Sequence, residues 1–343
     1  MKLHLPRTWK NTLITIAFPV VTWLVMTVLC HITVGRGVIA SMLDVQNYVR
    51  NVGISVCTAL ALSYNLGNGR FDLSLGAQRM MVAIIGGNIA IRLGLGTWGV
   101  ILCSLAAGLI FGSLVGVLFV TTKIPAMVLG VGVAFVYECV AFVSSNSQGL
   151  HIYGVPGLEN LSNLYLTIAV VFAATLVAMI LDRYTKFGFY NRAIGGSQKI
   201  AHNSGINIYT HAVGCYAIAG GLVSFSGVFD AAFKGSMDAE LGFSSNASVM
   251  TNCFPMFFGK FIARWSSEAV GIVVATMTVR MFQTGLSVMQ LSGTAQQVFM
   301  GFAFLIFLLV RANENTFAVR RARKERIALA RKTREMKAAQ AAG

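Results

Sequence analysis

The sequence predicts an all-α fold: a polytopic membrane helical bundle of about ten transmembrane helices, with one short cytoplasmic helix in a polar loop. Three observations carry the prediction. Only 11% of the 343 residues are charged and 56% are hydrophobic, whereas an average soluble domain is roughly 25% charged, so most of this chain has a solvent other than water. The apolar residues gather in repeated runs of about 20, the helical length that crosses a hydrocarbon core of about 30 Å. The ten-residue alternation of a membrane β-barrel is absent, which leaves the helix as the element that satisfies its own backbone hydrogen bonds in lipid.

The first run, 11–30, follows Lys2, Arg7 and Lys10 and so has the charge order of a signal peptide. It is longer than a typical signal core and lacks a small-x-small cleavage site, so it reads as a retained first span. Further runs fall at 49–66, 73–91, 97–120, 124–143, 164–181, 211–233, 243–258, 268–289 and 295–310. The second, third and eighth are interrupted by Gly, Asn or Pro. Residues 1–310 are expected to form the transmembrane domain, and 311–343 a basic cytoplasmic tail.

Charge sets the orientation. The net charge is +15, and from Arg311 onward ten Lys or Arg stand against three Glu, so +7 of it lies in the tail. The tail sequence RRARKERIALARKTREMK has no interleaved aromatics for base stacking. It reads as a solvated helix beside anionic lipid, with no nucleic acid as partner. With a cytoplasmic amino terminus, ten spans place Arg70, Lys123, Arg183, Lys186, Arg192, Lys199, Lys260, Arg264 and the tail inside, as the positive-inside rule requires. Arg36, Arg92 and Lys234 fall outside, as do the loop 144–160 and the acids Asp230, Asp238 and Glu240. Both termini are then cytoplasmic in a multi-pass protein, and the outside loops are either solvated connections or a docking face.

Between two apolar runs lies RAIGGSQKIAHNSGIN, 192–207. Ser197 can cap a short helix by accepting a backbone N–H, and Gly205 can end it in a left-handed conformation. A helix of about two turns is unstable alone in water, so it needs a surface to pack on, either its own membrane domain or a partner.

This stretch resembles the cytoplasmic loop of the permease subunits of ribose-type ABC importers, whose pattern is approximately R-x-x-A-I-G-G-N, then A-A, then S-G-I-N. The matching positions are Arg192, Ala193, Ile194, Gly195, Gly196, Ala201, Ser204, Gly205, Ile206 and Asn207. GRFDLSLGA, 69–77, is similar to the family's GGIDLSVGS, and KIPAMVLGVG, 123–132, to its RIPAFIATLG. The resemblance implies that 192–207, including Ser197, Gln198 and Lys199, is a coupling helix seated in a groove of a separate ATPase subunit. It also implies an extracytoplasmic solute-binding protein, a second permease chain in a homo- or heterodimer, a prokaryotic plasma membrane, and ATP-Mg bound by the partner rather than by this chain. One segment departs from the family: NCFPMFFGKFIARWSS, 252–267, stands where a glycine-rich LGG…GGRGS is usual.

Polar residues inside the apolar runs are the candidates for the translocation path: Asn65, Asp72, Ser74, Arg79, Asn88, Glu138, Asn252 and Gln283, with Ser63 and Arg280 beside them. Intramembrane charges face the bundle interior or a cavity. Arg79, Glu138 and Arg280 therefore either line the path or form an Arg–Glu pair that locks helices. Asp72 either caps a helix or lines a broken span. GLIFGSLVG, 108–116, has Gly at every fourth position and reads as a packing stripe. Six scattered cysteines without a CxxC pair read as packing residues.

There is no phosphate loop, no HExxH, no GxSxG and no convergent metal set, so neither catalytic nor metal-binding residues are expected. The function expected is inward movement of a monosaccharide or related small polar solute by alternating access. The alternatives are an ion-coupled secondary transporter or channel, and an ABC permease for nucleosides.

Overall fold

The computed structural model describes residues 7–314; of the tail expected over 311–343, residues 315–343 lie outside the described residues. The chain divides into two units, Met1–Met289 and Gln290–Gly343. The first contains α1 Arg7–Val34, α2 Met42–Leu66, α3 Leu75–Arg92, α4 Gly96–Thr122, α5 Ala126–Ser144, α6 Leu164–Tyr184, α7 Lys186–Gly196, α8 Gln198–Asn203, α9 Ile208–Lys234, α10 Ala247–Met250, α11 Cys253–Ile262 and α12 Glu268–Val288. The second contains α13, Gly293–Glu314, whose first turn is capped by the Ser292 hydroxyl accepting from the Ala295 N–H.

Local chemistry starts these helices where the polar residues allow. Ser41 and Asp44 form a reciprocal capping box on α2, while Asn163, Thr185, Ser197, Asn207 and Ser267 each accept a first-turn N–H from α6, α7, α8, α9 and α12. Ser197 and Gly205 do what their residue types suggested: the Ser197 side chain accepts from the Ile200 N–H, and Gly205 adopts φ +82°.

Seven described helices are long and apolar enough to cross a membrane: α1 from Asn11, α4, α5, α6, α9, α12 and α13. The runs expected at 49–66 and 73–91 fold as α2 and α3, diluted by Asn65, Gln78, Arg79 and Asn88 and buried along most of their length. The run at 243–258 is not one helix. It becomes a 3₁₀ turn over Ser244–Asn246, then α10 and α11. Phe243 sits at φ +68°, and the Ser248 and Asn252 side chains bond backbone carbonyls three and four residues earlier, competing with a continuous helix.

The centre of the first unit is α9, packed chiefly against α4, α2 and α3. The glycine stripe is the contact with α4: a Cβ on Gly108 or Gly112 would collide with the backbone carbonyl of Gly220 or Tyr216, and one on Gly116 would lie 2.8 Å from Val213 Cα. Cys30, Cys57, Cys215 and Cys253 are buried and all six cysteines are unpaired. At the end of the unit where α3 and α9 finish, β1 (Leu150–His151) pairs antiparallel with β2 (Ser236–Met237), Leu150 opposite Met237. The ribbon ties together two loops that the sequence reading treated separately.

Candidate functional site at two breaks in the helix pattern

The first break follows α2. The N–H groups of Gly67, Asn68, Gly69 and Arg70 turn back onto the carbonyls of Ser63, Asn65 and Leu66, and Gly69 takes φ +74°. The chain then continues without helical structure to Ser74. Its neighbours on α9 show how far it travels: Asn68 meets Cys215, Gln78 meets Gly220, and Arg79 meets Ser226 and Asp230. From Cys215 to Asp230 is roughly 20 Å of helix at about 1.5 Å per residue. The break therefore lies within the bundle.

Asp72 organises it. Its Oδ1 accepts from the Ser74 N–H (2.9 Å) and hydroxyl (2.7 Å), and its Oδ2 from Asn65 Nδ2 (3.2 Å). The carboxylate is buried, and Gly130 of α5 approaches so closely that a Cβ there would lie 2.7 Å from the Leu73 nitrogen and 3.2 Å from Asp72 Oδ1. Asp72 thus closes an Asx turn onto Ser74, the residue that precedes α3, and accepts no first-turn N–H of that helix.

The second break is the turn at 244–252, and it meets the first. A Cβ on Gly76 would lie 2.8 Å from Asn246 Cα. Glu138 of α5 holds this turn in place, accepting from the Phe243 N–H (2.8 Å), the Ser245 N–H (3.3 Å) and the Ser245 hydroxyl (2.6 Å). Glu138 does not pair with Arg79, one of the two arrangements the sequence allowed. Arg79 donates to Asp230 at 2.6 Å and to Ser226 at 2.9 Å, and Ser226 bonds Thr58 of α2 at 2.7 Å. Asp230, grouped from sequence with the loop acids Asp238 and Glu240, is inside α9 and buried. Its helical spacing to Lys234, 3.1 Å away, was the readable signal.

Arg280 of α12 donates to Ser55, to Gln283 Oε1 (2.8 Å) and to Asn252 Oδ1 (3.4 Å). Asn252 and Gln283 are thus together, with Arg280 between them. Asn88 is elsewhere, donating to the Gly149 carbonyl beside the β-ribbon. Sequence reasoning missed Asn246, whose amide is buried and bonded at neither end. It missed the setting of Arg70 too: counted among the basic residues on the cytoplasmic side, this residue is buried over the Phe119 ring, and its terminal nitrogens make no hydrogen bond among the described residues.

The stretch 192–207 divides into two roles. Arg192, Ala193, Ile194, Gly195 and Gly196 finish α7, and Gln198–Asn203 form α8. Facing the bundle are buried Ile194 and Ala201, Gly195 over the Gly67 carbonyl, and Gln198, whose Nε2 donates to the Asn68 carbonyl at 2.8 Å. Asn191 also accepts from Asn68 Nδ2, at 2.6 Å. Exposed on the other side are Lys199 and Ile200, an apolar residue 68% exposed. Ser204 closes α8 onto the Ile200 carbonyl, Ile206 returns its N–H to the Ala201 carbonyl, and Asn207 caps α9.

A model of the family described as branched-chain amino acid transport system / permease component matches residues 46–310. The chain belongs to this permease family. It is similar to the galactose/methyl galactoside import permease protein of Escherichia coli K12, at 23% identity over 290 residues that cover 78% of this chain and 85% of the relative. The ribose import permease protein of the same strain is 20% identical over 272 residues, 77% of this chain and 84% of the relative. A probable ABC transporter permease protein of Sinorhizobium fredii is 24% identical over 253 residues, 71% and 73% of the two chains. In this permease the three motifs that carry the family resemblance are neighbours in space: Asp72 and Leu73 touch Gly130, and Asn68, just ahead of them, is bonded to Gln198.

Proposed function

We propose that the chain is the membrane-spanning subunit of an ABC importer that moves a monosaccharide or related small polar solute inward by alternating access. The bond from Gln198 to Asn68 carries this reading, because it ties a short exposed helix to the start of a broken span. A separate ATPase, binding ATP-Mg, docks on Lys199, Ile200 and the surrounding α7–α8 surface, which is cytoplasmic. Its closure pulls on the segment 67–74 through Gln198, Gly195 and Asn191. A small helix framed by glycines allows close approach, and Arg192 and Lys199 meet acidic groups on the partner. An extracytoplasmic solute-binding protein delivers cargo at the β-ribbon end, and a second permease chain completes the route.

The bundle counts as about ten spans with both termini cytoplasmic, taking α10–α11 with the preceding turn as one broken span. Such interruptions are tolerated where they line a cavity or are buried in protein. In the plasma membrane of a prokaryote, Asn65, Asp72, Ser74, Asn246 and Asn252 border the path.

The experiment is a cysteine at Lys199 in the otherwise intact transporter, treated with a short bifunctional thiol reagent. Crosslinking to the ATPase that depends on nucleotide state is expected. An active transporter that never crosslinks there, or purified chain that carries solute into liposomes without an ATPase, overturns the proposal.

A further inference from the structure

The arginines that surround the meeting of the two breaks are not equivalently neutralised. Arg79 has a carboxylate partner, Asp230 at 2.6 Å. Arg280 has none among the described residues: Ser55, Gln283 and Asn252 are all neutral acceptors. Arg79 and Asp230 both lie within electrostatic reach of Arg280, so the cluster holds two guanidiniums against one carboxylate. Lys234, which shares Asp230 at 3.1 Å, adds positive charge. The other buried carboxylates are bonded within their own surroundings, Asp72 to Ser74 and Asn65, Glu138 to Phe243 and Ser245, and neither pairs with an arginine.

A guanidinium in an apolar bundle is costly and persists where it meets a counter-charge, a cavity or a ligand. Arg280 uses three of its five N–H donors within the chain. One helical turn from Arg79 on α3, Gly76 packs against Asn246, whose buried amide bonds nothing at either end. A cation without a counter-ion and an amide without partners thus flank the junction of the two broken spans.

We infer that the cargo is a polyhydroxylated solute with a single negative charge, a sugar acid, whose carboxylate pairs with Arg280 and whose hydroxyls meet Asn246. This rests on the importer reading and narrows its cargo. The planar guanidinium matches a carboxylate in a bidentate fork. A neutral sugar leaves the charge uncompensated, and a zwitterion brings an ammonium group to a place where the one carboxylate within electrostatic reach of Arg280, Asp230, already holds Arg79 and Lys234.

The test uses the full chain with its ATPase and binding protein, and labelled gluconate, galactonate and ribonate alongside glucose, galactose and ribose. Uptake of at least one acid in preference to its neutral parent is expected. Arg280→Lys, which keeps the charge, holds that uptake within a few-fold. Arg280→Gln, at equal membrane abundance, lowers acid uptake at least tenfold and any neutral-sugar uptake by a much smaller factor. Because only the permease is altered, a loss confined to the acids reports its charge rather than the binding protein's choice. Uptake of neutral sugars alone, or an equal fall for acids and neutral sugars in Arg280→Gln, overturns the inference. Loss of ATP dependence removes the importer reading instead, and the charge preference is still read in the same assay.

Discussion

Gln198 of α8 and Asn68 at the end of α2, 130 residues apart in sequence, are joined by a 2.8 Å hydrogen bond from the glutamine side chain to the asparagine carbonyl. Asn191 and Gly195 support the same point, one by accepting from Asn68 Nδ2 and the other by packing on the Gly67 carbonyl. In the proposed function, a displacement of the two short helices is passed through these contacts to the segment that leads to Asp72. Replacing Gln198 by Leu removes one bond worth about 1 kcal/mol, which corresponds to about a fivefold loss of coupling. Solute moved per ATP hydrolysed should fall by that order while hydrolysis continues. Equal loss of both, or of neither, contradicts the link.

Asp230→Asn leaves the buried Arg79 without its carboxylate. Breaking one side of such a pair costs about 3–5 kcal/mol, whereas replacing both partners by apolar groups is often neutral. Thermal unfolding in detergent should show a marked drop for Asp230→Asn and a smaller one for the double variant Arg79→Met/Asp230→Leu. A double variant as unstable as the single one would mean that the pair is not the source of the effect.

Gly112→Ala forces a methyl group against the Tyr216 carbonyl, whereas at Gly132 of α5 a Cβ meets nothing within 4 Å. Overpacking at the first site should cost about 1–3 kcal/mol, and Gly132→Ala should be close to neutral. The comparison is read as the difference in unfolding temperature between the two variants.

Asp72→Ala strips acceptors from the Ser74 N–H, the Ser74 hydroxyl and Asn65, each buried, at about 1–3 kcal/mol for each group left unsatisfied. Asp72→Asn keeps an oxygen for the Ser74 N–H. Stability and transport should follow the order Asp, Asn, Ala. An alanine variant with full stability and full transport would make the carboxylate dispensable.

Asn246→Ala offers the opposite pattern. The amide makes no bond among the described residues, so stability should hold, while KM for transport should rise about fivefold if one cargo bond of about 1 kcal/mol is lost. A stability loss with unchanged KM would show that Asn246 supports the fold and does not touch cargo.

Much of this was legible beforehand, for reasons visible in single elements. The Ser197 cap and the Gly205 stop depend on neighbours within a few residues, so residue type sufficed. The Gly108–Gly116 stripe was readable because a four-residue spacing puts small residues on one helix face. The family resemblance was readable in 69–77, 123–132 and 192–207 because backbone turns and close approaches restrict the residues that fit. The interruption of the eighth apolar run was legible in its Asn and Pro residues, but not that Glu138 holds the turn that results, since that contact joins residues 105 apart in the chain. The partner of Arg79 was not legible either, because Glu138 and Asp230 are both single acids in apolar runs and only helix packing chooses between them.

The sequence by itself determined that the chain is a helical membrane protein, where the short helix α8 starts and stops, and which family it belongs to, because these follow from composition, local capping and short motifs. The tertiary structure decided that Asp230 rather than Glu138 neutralises Arg79, that Gly76 meets Asn246, and that Gln198 reaches Asn68. Those pairings join residues far apart in the chain, and their geometry depends on how α2, α3, α5 and α9 pack, which no local pattern encodes.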